Sequence, residues 1–235
     1  MKIIPAIDLM NGQVVRLYKG DPKQKTVYSD NPIEIAKKWE ANGADMLHIV
    51  DLDATLGIGS NVSIIQNILK EISIPAQVAG GLRDKSIVVD VAKISKRIVL
   101  GTLAFNDKPL LKTLLSELGS EKIVVSVDHK DGKIVIHGWQ KNIGISVLDA
   151  INDFLDMGFT EFLLTNVSRD GTMEGPDLEF LEQTCRLTNA NVIASGGISN
   201  VNDVKNVKEK NAFGVILGKA LYENKISIED AKKLL

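Results

Sequence analysis

The chain has 235 residues, of which 44% are hydrophobic and 25% charged, and its formal net charge is −2. These values read as a soluble globular protein rather than a disordered or fibrous one, and the absence of clustered Lys and Arg disfavours an electrostatic nucleic-acid binder. No apolar stretch approaches the length of a membrane span, and the N-terminal run, broken by Asp8, does not read as a signal peptide.

In chain order, the first predicted strand is Lys2–Ile7. Asn31-Pro32 then opens a helix, with Pro at its first position, and Gly43 closes it. Further strands are predicted at Met46–Val50, Ala76–Ala79 and Ile98–Leu100. Asp107 opens a helix whose apolar face is Leu110, Leu111, Leu114, Leu115 and Leu118, and Gly119 stops it. Strands follow at Ile123–Val127, Phe162–Thr165, Val192–Ala194 and Gly214–Leu217. A helical segment, Leu178–Cys185, lies among them. It ends on the single Cys185, which is expected to be a buried reduced thiol suited to a reducing cytoplasm. Ser227 with Asp230 makes a capping-box pattern for the last helix. The strands are near-continuous in Ile, Val and Leu, as strands buried on both faces of a parallel sheet must be. Eight such strands alternating with helices give either a barrel or an open doubly wound sheet. No G-x-G-x-x-G follows the first strand, which weakens the dinucleotide-binding version of the open sheet.

An internal repeat decides between the two. Ile7-Asp8-Leu9-Met10-Asn11-Gly12 matches Val127-Asp128-His129-Lys130-Asp131-Gly132 at an offset of 120, from position 8 to 128. Gly80-Gly81-Leu82 matches Gly196-Gly197-Ile198 at an offset of 116, and Gly101 to Phe105 matches Gly218 to Tyr222 at 117. Three matches in one order at nearly one spacing imply two related halves of four βα units, about 1–119 and 120–235. The expected architecture is a single (β/α)₈ TIM barrel, residues 1–235, built from two duplicated (β/α)₄ half-barrels.

Barrel active sites lie at the C-terminal ends of the strands. Asp8 ends the first predicted strand and Asp128 the fifth, so two carboxylates would face each other across the mouth, one placed as a base and the other as an acid. A lone Asp there could simply cap the next turn; its duplication favours function. Asp170, in an Asp-Gly turn after the sixth strand, is a third candidate, whereas Asp51 and Asp53 are expected to brace a loop. Gly196-Gly197 and Gly218 stand where barrels often bind phosphate, and Gly80-Gly81 with Gly101-Thr102 would build a matching site opposite. The alternative is that these glycines only permit tight turns. Two opposed anion sites with acid–base groups between them imply a long bisphosphorylated substrate. Trp139, in a Gly-flanked loop, could stack on a heteroaromatic ring or pack under its own loop. His48, His129 and His137 show no metal-ligand spacing, and no metal is expected.

These residues resemble the phosphoribosylformimino-5-aminoimidazole carboxamide ribotide isomerase family of histidine biosynthesis. The likeness is carried by Ala6-Ile7-Asp8, Val14 to Asp21, His48 to Asp53, Gly80-Gly81-Leu82-Arg83, Ser126-Val127-Asp128, Gly138-Trp139, Arg169-Asp170-Gly171-Thr172, Ser195-Gly196-Gly197 and Gly218 to Tyr222. It runs from residue 1 to about 224. The resemblance implies a barrel of two duplicated halves and an Amadori rearrangement of a bisphosphorylated aminoaldose to an aminoketose, without cofactor. It implies Asp8 as the base and Asp128 as the acid, with Asp170 an alternative acid. It implies substrate or phosphate contacts at Gly20, Gly80, Gly81, Arg83, Gly101, Thr102, Trp139, Thr165, Ser195, Gly196, Gly197, Gly218 and Lys219.

The chain departs from the family pattern at Ala54, where the second-strand motif usually continues with Gly. Ala54 is similar to members that also isomerise phosphoribosylanthranilate, which leaves dual specificity open. The related cyclase of imidazole glycerol phosphate synthase is a further alternative, though it usually carries Lys where this chain has Arg16 or Leu17 and needs a glutaminase partner. The expected partner is a small molecule, with neither nucleic acid nor membrane, and the chain is expected to act as a cytoplasmic monomer.

Overall fold

All eight predicted strands form, as seen in the computed structural model, which describes residues 1–235. Twelve strands are present: β1 (Lys2–Met10), β2 (Gln13–Tyr18), β3 (Asp21–Ser29), β4 (Leu47–Asp51), β5 (Ala76–Ala79), β6 (Arg97–Leu100), β7 (Ile123–Lys130), β8 (Lys133–Ile136), β9 (Lys141–Ser146), β10 (Glu161–Asn166), β11 (Asn191–Ser195) and β12 (Gly214–Leu217). Eight of them close into a parallel ring in the order β1-β4-β5-β6-β7-β10-β11-β12 and back to β1. The fold is a (β/α)₈ barrel. No helix is long and apolar enough to cross a membrane.

Around the ring lie α1 (Pro32–Ala41), α2 (Leu52–Leu56), α3 (Val62–Glu71), α4 (Lys85–Ile94), α5 (Thr102–Asn106), α6 (Lys108–Leu118), α7 (Val147–Asp156), α8 (Leu178–Cys185), α9 (Val201–Glu209), α10 (Lys219–Tyr222) and α11 (Ile228–Lys233). Their ends follow from local chemistry. The Asn31 side chain accepts the Glu34 N–H at the start of α1, and Asp107 accepts the Leu110 N–H at the start of α6. The final helix departs from expectation: Ser227 accepts the Asp230 N–H, but the Asp230 carboxylate takes the Ser227 hydroxyl instead of its backbone N–H. The full capping box occurs at α9, between Asn200 and Asp203.

Strand alternation sorts the core into two layers. Ile4, Ala6, Met46, Val99, Val124, Leu163, Ile193 and Ile216 fill the barrel interior, and 49 buried apolar residues pack between sheet and helices. Below the interior, at the N-terminal end, Arg97 pairs with Glu161 at 2.9 Å. Cys185 ends α8 half-buried against the outer core, and burial pushes its thiol up to about 11.

The structure adds four strands that the apolar pattern alone does not announce. β2–β3 and β8–β9 are antiparallel hairpins inserted after the first and fifth barrel strands. Each starts from a two-residue turn, Asn11-Gly12 and Asp131-Gly132, with positive φ at both residues (50° and 77°, 51° and 75°). These turns let β1 and β7 run past their predicted ends and fold the chain back over the barrel mouth.

Candidate active site

Asp8 sits on β1 beyond Ile4 and Ala6 on the inward face, where the strand leaves the barrel; its neighbour on β4 is Val50. Asp128 occupies the same place on β7, four strands away in either direction around the ring, beside Thr165 on β10. Asp170 lies in the loop between β10 and α8. The hairpins determine how these carboxylates are held. From β2, Arg16 donates to Asp8 Oδ2 at 2.8 Å and reaches Asp170 Oδ1 at 3.5 Å, with only 7% of the residue exposed. From the loop between β8 and β9, Trp139 donates its indole N–H to Asp128 Oδ2 at 2.9 Å, and Ser126 donates its hydroxyl to Oδ1 at 2.9 Å.

Burial is the dominant influence on all three acids. It pushes Asp8 up to about 6, against the pull of Arg16, and the charge of Asp170 adds to the rise. Burial also raises Asp170, opposed by Arg16. Asp128 is raised by burial too, although hydrogen bonds from Trp139, Ser126 and Thr165 oppose it. A carboxyl near 6 is mostly ionised at neutral pH yet basic enough to take a proton, which suits a general base.

Beside this cluster opens a cleft of about 290 Å³, lined by Arg16, Asp170, Ser195, Gly196, Gly197, Gly218 and Lys219 among others. Gly218 immediately precedes α10, and no side chain caps that helix N-terminus. A Cβ at Gly218 would lie 2.6 Å from Arg16 Nη2, so the guanidinium rests directly on this turn. Gly197 has φ +85°, and a side chain there would collide with the Gly175 carbonyl. Its glycine is required by the approach of the β10–α8 loop, whatever the cleft binds.

The corresponding residues across the ring are arranged differently. Gly101 precedes α5, also without a side-chain cap, but Thr102 Oγ1 accepts the His137 N–H at 2.9 Å, so the β8–β9 loop lies over this turn. A side chain on Gly81 would strike Ala54, and Gly80 packs on the Asp51 backbone. Arg83 is exposed and donates to the Thr55 carbonyl at 2.6 Å, apart from the carboxylate cluster. Gly20, at the tip of the β2–β3 hairpin, packs against the Trp139 ring, 2.5 Å from where a Cβ would be. The two hairpins thus meet over the mouth.

Asp51 and Asp53 are buried braces. Asp51 accepts from Ala54 N, Asn61 N and Asn61 Nδ2, and Asp53 accepts from Asn11 N and Asn61 Nδ2. They fix the Asn11-Gly12 turn and hence the hairpin that delivers Arg16. Arg16 was not among the candidate site residues read from the sequence, yet it is the side chain that joins Asp8 to Asp170. Its signal was the Asn11-Gly12 turn: a hairpin there folds the chain back beside Asp8, with Val15 as the strand partner of Asp8, and so returns Arg16 to the mouth.

Fold and site together define a (β/α)₈-barrel protein whose mouth holds three largely buried carboxylates and one buried arginine. Residues 2–227 match the family described as "Histidine biosynthesis protein", and the chain belongs to that family. It is 67% identical over 235 residues to a protein of Nitrosopumilus maritimus (strain SCM1), covering 100% of both chains. It is 56% identical over 231 residues to one of Cenarchaeum symbiosum (strain A), covering 98% of this chain and 99% of the relative. With a relative from Oceanobacillus iheyensis it shares 41% identity over 232 residues, 98% of this chain and 96% of the other. All three carry the name 1-(5-phosphoribosyl)-5-((5-phosphoribosylamino)methylideneamino)imidazole-4-carboxamide isomerase.

Proposed function

We propose that this protein is the aldose–ketose isomerase its relatives are named for, an intramolecular oxidoreductase that converts the bisphosphorylated aminoaldose N-(5-phosphoribosyl)formimino-5-aminoimidazole-4-carboxamide ribonucleotide to its ribulosyl aminoketose. The observation that carries this reading is the Asp8–Arg16–Asp170 chain at the edge of the Gly197–Gly218 cleft. It puts a base, a proton donor and a cation within one side chain's reach of an anion-sized turn. The relatives favour the isomerase over the cyclase that the sequence left open.

One phosphate is taken by Ser195, Gly196, Gly197, Gly218 and Lys219, the other by Gly80, Gly81, Arg83, Gly101 and Thr102. Gly20 and Trp139 cover the middle of the substrate, and Thr165 helps fix Asp128. Asp170 protonates the ribose ring oxygen; the C1–O bond breaks and a protonated imine forms. Asp8 then removes the C2 proton, and the resulting enolamine takes that proton at C1 while its C2 hydroxyl proton returns to Asp170, which gives the ketose and restores both carboxyls. Asp170 is favoured over Asp128 as the acid because its only charge-pairing contact is the long one to Arg16, whereas both oxygens of Asp128 already accept hydrogen bonds. Holding both phosphates fixes C1 and C2 against these groups and lowers the entropic barrier. The two halves of the barrel are read as duplicates, each supplying one phosphate turn. The chain acts on a small molecule as a cytoplasmic monomer, a reading supported by the net charge of −2 and the single free thiol.

The test is a spectrophotometric assay of purified protein on the aminoaldose bisphosphate and on phosphoribosylanthranilate in parallel, after dialysis against a strong chelator. Turnover of the aminoaldose is expected, undiminished by the chelator. Activity restored only by added divalent metal overturns the acid–base mechanism. Turnover of phosphoribosylanthranilate alone overturns the substrate assignment.

A further inference from the structure

We infer that His129 is a positioning residue of this site, acting through Asp177 on the loop that carries Asp170. The inference rests on the isomerase reading above. His129 follows Asp128 on β7, so its ring points the opposite way, out of the barrel and toward α8, where it is wholly buried. Phe180 of α8 tilts over it with ring centroids 4.9 Å apart. Nδ1 accepts the Gly132 N–H at 3.3 Å, which leaves the proton on Nε2. Burial holds the imidazole below its usual range against the charges of Asp177 and Asp131, so it is a neutral donor. That Nε2–H has no hydrogen-bond partner, yet it faces Asp177 Oδ2 at 4.0 Å.

Asp177 is where both ends of the loop meet. Its Oδ2 accepts from Asn166 Nδ2 at 2.6 Å, and Asn166 is the last residue of β10 and the strand partner of His129. Its Oδ1 accepts the Phe180 N–H and so starts α8. Between these ends, Val167 N–H bonds to the His129 carbonyl, Asp170 N–H bonds to the Asn166 carbonyl, and Gly175 N–H bonds to the Gly197 carbonyl. The position of Asp177 is therefore transmitted to Asp170 on one side and to the Gly197 turn on the other. A small cleft lined by His129, Asn166, Asp177 and Ser195 lies behind the loop. An inward shift of roughly 1 Å brings Nε2 and Oδ2 to hydrogen-bond distance, and a buried donor left without a partner favours that shift. The bond fixes Asp177, and through the loop it anchors, Asp170 against the substrate.

The experiment compares His129→Leu and His129→Gln by steady-state kinetics on the aminoaldose and by amide hydrogen exchange of residues 167–177. Leu keeps the packing against Phe180 and removes the donor; Gln carries an N–H of similar reach. His129→Leu is expected to speed exchange across the loop and to lower kcat by between about 10- and 100-fold with KM close to wild type, the size expected for misplacing a reacting group by about 1 Å. His129→Gln is expected to restore most of both. His129→Asn, too short to reach Asp177, replaces the Leu variant if that protein does not fold, with the same expected effects. Loop exchange at the wild-type rate in the donorless variant, or a Gln variant no better than it, overturns the positioning role. Exchange is read without turnover, so a wild-type protein inactive on the aminoaldose overturns the isomerase reading separately.

Discussion

The two hairpins over the mouth start from the same pattern, an Asp at the strand end and a Gly-containing turn three residues on, and surround their carboxylates differently. Asp8-Leu9-Met10-Asn11-Gly12 and Asp128-His129-Lys130-Asp131-Gly132 each place a carboxylate at a strand end and a tight turn after it. The first hairpin returns a cation, Arg16, which clamps Asp8 and reaches Asp170. The second returns a neutral donor, Trp139, which caps Asp128. A cation bonded to a buried carboxylate favours its ionised form and keeps a base ready; a capped, fully hydrogen-bonded carboxylate is fixed in place and less free to exchange protons. The difference teaches that matching strand ends need not hold their carboxylates in matching surroundings, because the setting of each Asp is fixed by what its hairpin brings back.

The largest effect is expected on the first side. Asp8→Asn keeps the shape but does not accept the C2 proton, so kcat falls by ~10²–10⁴-fold with KM unchanged or lower, as steady-state kinetics will report. Near-wild-type kcat in this variant breaks the comparison at its root. Next, Asp170→Asn and Asp128→Asn are expected to differ: the former loses more kcat and flattens the alkaline limb of the pH–rate profile, whereas the latter keeps both limbs. The reverse ranking would return the acid role to Asp128.

Arg16→Met sharpens the comparison through pH. In the wild type, kcat/KM is expected to fall about tenfold per unit below the Asp8 value near 6, because the base is lost as it takes up a proton. Removing the cation removes the influence that lowers this value, so the acid limb moves to higher pH. A limb that stays in place means that Arg16 does not govern Asp8. The smallest effect is expected at the second hairpin. Trp139→Phe deletes one hydrogen bond to Asp128, a loss of about 1 kcal/mol, and lowers kcat/KM by up to about tenfold without moving either limb.

The alternation of apolar strands and capped helices, and the strand-end positions of Asp8 and Asp128, were legible in the sequence because they depend on local periodicity and on short-range caps such as Asn31 and Asp107. The spacing of the repeated motifs likewise pointed to a closed ring over an open sheet. Two things were decided only by tertiary structure. The hairpins depend on pairing between strands that the apolar pattern marks weakly, and β3 is largely exposed, so no buried face announced it. The company of each carboxylate depends on contacts between residues far apart in the chain: Arg16 with Asp170, Trp139 with Gly20, His129 with Asp177. Burial of a charge and the approach of an opposite one are properties of the assembled mouth. The sequence therefore placed the candidate carboxylates at strand ends, and the fold determined which of them stands beside a cation and which is capped by an indole.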